Sequence, residues 1–257
     1  MANWVYSNRF FYYFCEINQL KTEKTMKKIV FLTGAGISAE SGIATFRDSG
    51  GLWDKYNVQD VASIEGYWRN RKLVLDFYNV RRHESMNTKP NRGHELVAEL
   101  EKYFDVTVVT QNVDNLHEQA GSSKIVHLHG ELMKATSERD PNDPRCIVQL
   151  GPDNLDIHLG DKAKDGSQLR PFIVWFGESV PMIETAIEEV ESADILVVIG
   201  SSLNVYPAAG LVHYTRPDVP IYVIDPKPVE VHTNRPITFI RKVASAGMEE
   251  LTQLLLQ

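Results

Sequence analysis

Short apolar runs ending in glycine or small polar residues punctuate this chain, and amphipathic stretches separate them. Lys28–Thr33 (KIVFLT) is apolar and rich in β-branched residues and ends at Gly34-Ala35-Gly36, which predicts a strand feeding a glycine turn. Helical residues follow through Ser41, then the glycine- and aromatic-rich segment 46–54 predicts a loop. Segment 61–82, with Trp68, Leu75 and Phe77 among polar positions, has a helical pattern. A helix over 94–102 and a strand over 104–110 come next, then a turn at Gln111-Asn112-Val113-Asp114. Residues 125–128 predict a short strand ending at His129-Gly130. Residues 131–170 are polar and broken by proline and glycine, which predicts an irregular insert. Beyond it lie a strand over 172–176 and a helix over 182–192. The apolar runs Ile195–Ile199 and Ile221–Ile224 end at Gly200-Ser201-Ser202 and Asp225. Strands alternating with helices imply an α/β fold, a mainly parallel Rossmann-like sheet with helices on both faces.

A length of 257 residues suits one large α/β domain, alone or carrying a smaller one. The net charge of -7 argues against a general nucleic-acid binder, although a local basic groove stays open. Two cysteines, Cys15 and Cys146, cannot make a disulfide framework or a tetrathiolate metal site, so a reducing cytoplasm is expected. No apolar run reaches the length of a membrane span. Residues 1–25, with FFYYF at 10–14 followed by Glu16, read as a non-essential extension ahead of a natural start at Met26-Lys27-Lys28.

Gly34-Ala35-Gly36-Ile37-Ser38-Ala39 fits the G-x-G-x-x-[GA] form of a dinucleotide turn, where glycines let the backbone approach a pyrophosphate at a helix N-terminus. Alone, the match is as readily an ordinary tight turn. Gly200-Ser201-Ser202 and Asp225 add hydroxyls and an acid after further strands, at the sheet edge where such ligands bind. For Asp225 a ribose-binding role and a turn-forming role are about equally supported. A standard βαβ unit would bring its second strand and acid within about 20–30 residues of the glycines. Here a long insertion intervenes, which favours chemistry on the cofactor over simple hydride exchange.

Five segments together carry a family resemblance: GAGISAESGIATFRDSGGLW (34–53), TQNVDNLHEQAG (110–121), HLHG (127–130), RPFIVWFGESVP (170–181) and GSSLNVYPAAG (200–210). In order and spacing they resemble the sirtuin motifs, in particular those of the bacterial class III deacylases. The resemblance implies NAD-dependent removal of acyl groups from protein lysines: the acyl oxygen attacks the nicotinamide ribose, nicotinamide leaves, and the acyl group ends on ADP-ribose. It implies a Rossmann-like domain from 26–47, 92–130 and 171–257, a lid and helical module at 48–91, and an insert at 131–170 corresponding to a degenerate zinc module. His129 would be the base acting on a ribose hydroxyl, while Asn112 and Asp114 hold the nicotinamide end, Gln111 the ribose, and Ile37 lines the pocket. Gly34, Ala35, Gly36, Phe46, Arg47, Trp53, Gly200, Ser201, Ser202, Asp225 and Ala244 would complete the NAD site, with Asp48 also in the lid. Histidine titrates near neutrality, which suits a base. His127 and His129 point the same way in a strand, so geometry alone does not choose between them; the adjoining glycine and the family match select His129.

The run Val174-Trp175-Phe176-Gly177-Glu178 would offer a strand edge to an extended acyl-lysine peptide, Gly177 leaving room for a second backbone. Tyr78 and Arg81, three apart on a helical face, match the pair that reads acidic acyl groups, so succinyl- or malonyl-lysine is the expected substrate; Arg82 beside them reads as a solvated arginine. Most sirtuins hold zinc with two Cys-x-x-Cys pairs, and residues 131–169 contain only Cys146, so no zinc is expected. Acylated proteins are the expected partners, with no nucleic acid or membrane, and a monomer is favoured. Three alternatives stay open: a deacetylase without acidic-acyl preference, a protein ADP-ribosyltransferase or NAD hydrolase, and a non-catalytic NAD sensor.

Overall fold

The computed structural model describes residues 26–44, 56–231 and 233–257. The extension 1–25 and the loop 46–54, with Phe46, Arg47, Asp48 and Trp53, lie outside the described residues. Among the described residues no helix is long and apolar enough to cross a membrane.

Six parallel strands form the main sheet: β1 (Lys28–Thr33), β2 (Asp105–Thr110), β3 (Ile125–His127), β7 (Ile195–Ile199), β8 (Ile221–Ile224) and β9 (Ile237–Ile240), in the order β3-β2-β1-β7-β8-β9. β1 and β7 read as continuous apolar runs because both faces are covered. Successive side chains alternate between those faces. Val30, Leu32, Leu196 and Val198 pack with Ala186 and Val190 of a helix at Ile183–Glu191. Ile29, Phe31, Val197 and Ile199 pack with Leu96 and Val97 of a helix at Arg92–Glu99 and with Met248 and Leu251 of one at Ala244–Leu255. Each fully buried aliphatic side chain contributes roughly 1.5–3 kcal/mol to this two-sided core.

Segment 61–82 is not one helix. It is α2 (Val58–Val61), α3 (Ile64–Arg69) and α4 (Arg71–Ser85), following the single-turn α1 (Ala35–Ser38). The restarts have a local cause: the Ser63 side chain accepts from the amide of Gly66, and that of Asn70 from the amide of Leu73. Helices α5 (Arg92–Glu99), α6 (Leu116–Ala120), α7 (Ile183–Glu191) and α8 (Ala244–Leu255) complete the set used below.

The region expected to be irregular contains order. β4 (Gly130–Ser137) pairs antiparallel with β5 (Val148–Gln149) and with β6 (Leu169–Ile173) in a separate three-stranded sheet. The strand expected over 172–176 is thus β6, shifted toward the N-terminus and outside the parallel sheet. Polar residues such as Lys134, Thr136, Ser137 and Arg170 hid these strands from a reading based on apolar runs. The small sheet and α2–α4 share a third core built on Tyr67, Leu75, Phe77, Tyr78, Leu132, Ile173 and Trp175. Arg82 is a correction too: it is fully buried, its Nε donates to the Leu155 carbonyl at 2.7 Å, and it also bonds Asn79, so it ties α4 to the insert. Burial pushes its guanidinium down to about 10, with Asp156 and Tyr78 pulling the other way.

Candidate functional site

The chain builds outward from β1 in both directions, β2 and β3 to one side and β7 to β9 to the other, so the strand order switches between β1 and β7. Ligands in open α/β sheets bind beyond the strand ends at such a point. Here the two glycine turns meet. Gly36 donates its amide to the Gly200 carbonyl at 2.9 Å, and a Cβ on Gly36 would lie 2.5 Å from the Gly200 Cα. Gly200 itself has φ +60°, in the left-handed region. The two turns therefore need glycine to pack against each other, before any ligand is considered. α1 spans four residues, so the cradle relies on turn amides more than on a long helix dipole.

The turn after β2 is laced onto this cradle. The Gln111 side-chain amide donates to Ser201 Oγ at 2.9 Å. Asn112 Nδ2 lies 3.1 Å from the Gly34 carbonyl and 3.2 Å from Ser38 Oγ, and its backbone amide donates to Thr110 Oγ1. Asp114 accepts from Ser38 Oγ at 3.0 Å and from the Leu116 amide at 3.2 Å. Burial raises the Asp114 carboxyl above its ordinary range, and these two hydrogen bonds offset only part of the shift. Ile37 is fully buried beneath. Ser38 is the hub, and the sequence reading did not single it out. Its only signal was a hydroxyl placed inside the glycine motif.

The two histidines separate cleanly. His129 Nδ1 is 2.9 Å from the Gln111 carbonyl and His127 Nδ1 is 3.2 Å from the Asn112 carbonyl, so each ring places its N–H on successive backbone oxygens. His127 Nε2 is taken by Glu118 at 2.7 Å. Burial alone would lower His127, but Glu118, with Glu131 and the Asn112 carbonyl, outweighs it and raises the imidazole above its ordinary range. Among the described residues His129 Nε2 has no such partner. Burial holds His129 below the usual imidazole range, the Gln111 carbonyl offsetting only part, so the ring is neutral at pH 7 with a lone pair on Nε2.

Gly130, next in the chain, has φ +79°, and a Cβ there would sit 2.1 Å from the Phe172 carbonyl oxygen. β6 passes against it, and the Val174 amide donates to the His129 carbonyl at 2.9 Å. The glycine after the histidine is thus demanded by the approach of β6.

Along the edge expected at 174–178, four amides have partners within the protein. The Val174 and Phe176 amides are bonded to the His129 and Ala62 carbonyls, the Trp175 amide to the Glu178 carboxylate, and the Glu178 amide to the Trp175 carbonyl. Among the described residues the Gly177 amide makes no backbone hydrogen bond. A Cβ on Gly177, at φ +92°, would meet the Ile64 side chain at 2.8 Å, so the turn itself requires this glycine. The Phe176 ring is 43% exposed and accessible to a ligand, whereas the Glu178 carboxylate is held by Arg170.

Tyr78 and Arg81 share a face of α4. Tyr78 is buried and accepts from the Trp175 indole at 3.0 Å; Arg81 is half-buried, close enough to Asp114 to feel its charge. Burial pushes the Tyr78 phenol up and the Arg81 guanidinium down. At the far end, Asp225 Oδ1 accepts the Lys227 amide at 2.8 Å, which is the turn-forming role. Ser202 is half-buried, and Ala244 is buried at the start of α8 against Gly93. The insert is stitched by Ser137 to Asp165 at 2.7 Å and by Asn79 to both backbone groups of Ile157. Its one cysteine, Cys146, is buried beside Asp143. Among the described residues, Glu118, His127 and Glu131 form the single group of three metal-capable side chains, on α6, β3 and β4 rather than deep in the insert.

The Sir2 family model matches residues 34–207. A protein of Bacteroides thetaiotaomicron named "NAD-dependent protein deacylase" is 65% identical over 231 residues, covering 90% of this chain and 99% of its own. A solved structure titled as a Sir2 homolog–NAD complex has a TM-score of 0.78 at 36% identity and covers 93% of this chain and 93% of its own. Another, titled "Sir2 bound to acetylated peptide", has a TM-score of 0.72 at 28% identity and covers 93% of this chain and 97% of its own. With its glycine turns, its Asn112–Ser38–Asp114 network and, among the described residues, an unpartnered His129 Nε2 beside them, the chain belongs to the Sir2 family.

Proposed function

We propose that this chain is an NAD-dependent protein-lysine deacylase in which His129 is the general base. The observation that carries the reading is the state of that ring: neutral, its Nδ1–H fixed on the Gln111 carbonyl, its Nε2 uncommitted, beside a cradle of glycine turns. The donor set fits a dinucleotide. Gly34, Ala35, Gly36 and Gly200 offer close backbone, Gln111 and Ser201 a ribose-sized polar pair, and Asn112 and Asp114 an amide and a carboxyl for a carboxamide. NAD, when bound, supplies an electrophilic sugar carbon and accepts the acyl group. His129 Nε2 takes the hydroxyl proton, and the Gln111 carbonyl stabilises the imidazolium that results. Ser38 orients Asn112 and Asp114 together. The similar structures with NAD and with acetylated peptide support this reading.

The test follows nicotinamide release and peptide mass with NAD and an acetylated, a succinylated and an unmodified peptide. Nicotinamide should appear in step with acyl loss. Equal release on the unmodified peptide would instead favour an NAD hydrolase or ADP-ribosyltransferase.

The acyl group proposed is succinyl or malonyl. Tyr78 and Arg81 lie on one face of α4, with Arg81 at the Asp114 side of the site, where a guanidinium fork and a phenol suit a carboxylate. Arg81→Met should lower the succinyl-to-acetyl ratio of kcat/KM by about tenfold or more, as expected for a charged hydrogen bond. A wild-type enzyme that treats both peptides alike ends this part of the proposal. We also propose that the insert needs no zinc, since one buried cysteine does not make a tetrahedral site. Metal analysis finding one zinc per chain would overturn that.

A further inference from the structure

Arg170 is a buried cation set against the Trp175–Glu178 turn. Its side chain is 1% exposed, and its guanidinium reaches Glu178 through two nitrogens, at 2.7 and 3.1 Å. The same group donates to the Ile173 carbonyl at 2.8 Å and lies 3.5 Å from the centroid of the Trp175 ring. Glu178 in turn accepts the Trp175 amide at 2.8 Å, closing the turn through Gly177 (φ +92°). Trp175 is thus held three ways: cation against its face, carboxylate on its amide, and the Tyr67 ring tilted against it at 4.7 Å. Its one side-chain donor, the indole N–H, points at the Tyr78 hydroxyl oxygen 3.0 Å away. A phenol oxygen that accepts from Trp175 keeps its own hydrogen for donation elsewhere.

Buried ion pairs of this kind add little net stability, because desolvation offsets most of the attraction. What the pair supplies here is orientation. A cation on the indole face draws density from the ring and strengthens its N–H as a donor, and the bidentate fork fixes the plane of the contact.

We infer that Arg170, clasped by Glu178, is a positioning residue for acyl recognition: it holds the Trp175 indole so that the Tyr78 phenol stands as a donor toward the acyl end of the substrate. The inference rests on the acyl-reading role proposed for Tyr78 and Arg81. With its side chain 1% exposed, Arg170 acts through Trp175.

The test uses the full chain and three variants: Arg170→Lys, the paired Arg170→Met/Glu178→Gln, which leaves no orphaned charge, and Trp175→Phe, which keeps an aromatic face and deletes the donor. The quantities are KM and kcat for succinyl and acetyl versions of one peptide, and KM for NAD. The paired variant and Trp175→Phe should each lower the succinyl-to-acetyl ratio about tenfold through the KM of the succinyl peptide, with the KM for NAD within about twofold of wild type. Arg170→Lys, which keeps the charge without the fork, should fall between. A folded paired variant with the wild-type ratio overturns the inference. So does a ratio loss matched by an equal rise in the KM for NAD, which marks general damage. A wild type with no succinyl preference sinks the reading of Tyr78 and Arg81 on its own account. The clasp is then judged on the acetyl peptide, where an unchanged KM in the paired variant overturns it.

Discussion

Two histidines buried under the cradle set a pH at which the protein should weaken. His94 is fully buried; the Asn91 amide donates to its Nδ1 at 3.4 Å and its Nε2 lies 3.4 Å from Ser38 Oγ. The His117 ring stands 4.9 Å away, its Nε2 3.1 Å from Thr33 Oγ1 and its buried Nδ1 without a partner among the described residues. Burial pushes His94 down from the ordinary 6.5 to about 4 and His117 well below 6.5. The folded state therefore keeps both neutral where the unfolded chain binds protons. Stability is full above pH 6.5 and is lost as pH falls below it. Between pH 6.5 and 5.0 His94 alone loses 1.5 pH units at about 1.36 kcal/mol each, or about 2 kcal/mol.

The perturbation is His94→Gln, which retains an amide donor toward Ser38 and cannot titrate. Urea unfolding followed by tryptophan fluorescence at pH 7.5 and 5.0, at one ionic strength, gives the free-energy difference for each protein. The wild-type drop between the two pH values should exceed the variant's by about 2 kcal/mol. His127 has the opposite sign: its raised value adds stability below pH 6.5 that is lost as pH rises through its folded pKa. It is present in both proteins and cancels in the comparison. A variant whose stability falls with pH as steeply as wild type would refute the assignment of the acid sensitivity to His94.

The base assignment has its own pH signature. Because burial lowers His129, deacylation should hold down to a pH below 6.5 and fall only as pH passes through that lower value. A kcat/KM profile with its acid midpoint above 6.5, or a His129→Ala protein with undiminished turnover, contradicts it. Gly130→Ala places a Cβ 2.1 Å from the Phe172 oxygen at a φ of +79°, so a loss of more than about 3 kcal/mol is expected. At about 2–4 °C per kcal/mol the melting temperature should drop by at least about 6 °C, and a shift under about 2 °C would show that β6 can yield.

The parallel sheet was legible because its strands are covered on both sides. KIVFLT and ILVVI can be little else than central strands, and each ends on the residues that build the cradle. The small sheet was not legible for the converse reason. β4 alternates buried and half-buried positions only over Gly130–Met133 and then buries Ala135, Thr136 and Ser137 in succession, so no apolar run marks it. Its order comes from partners distant in sequence: Ser137 with Asp165, and Asn79 with Ile157. Arg82 was misjudged for a related reason, since only the folded chain reveals the Leu155 carbonyl that receives it. At the site, local motifs named His129, Gln111, Asn112 and Asp114, whereas Ser38 and Arg170 emerge only once side chains from separate segments converge.

That convergence has a single seam. Residues 111–114 touch the cradle through Gln111 to Ser201 and Asn112 to Gly34. On their other side they hold the histidine through the Gln111 carbonyl, and β4 through the Val113 carbonyl, which accepts the Leu132 amide at 2.7 Å. The His129 carbonyl then receives the Val174 amide, and from Val174 the chain runs directly into the Trp175–Glu178 turn. The glycine cradle, the His129 ring and the Trp175–Glu178 turn are therefore linked by a chain of side-chain and backbone hydrogen bonds, with no loosely attached loop between them among the described residues. A side chain that shifts the β6 approach at Gly130 must move the base and the peptide turn together. One that disturbs only Glu178 can retune the acyl side while leaving the cradle in place. The two classes of variant are separable by kinetics for this reason: the first should alter every constant at once, the second the peptide's alone.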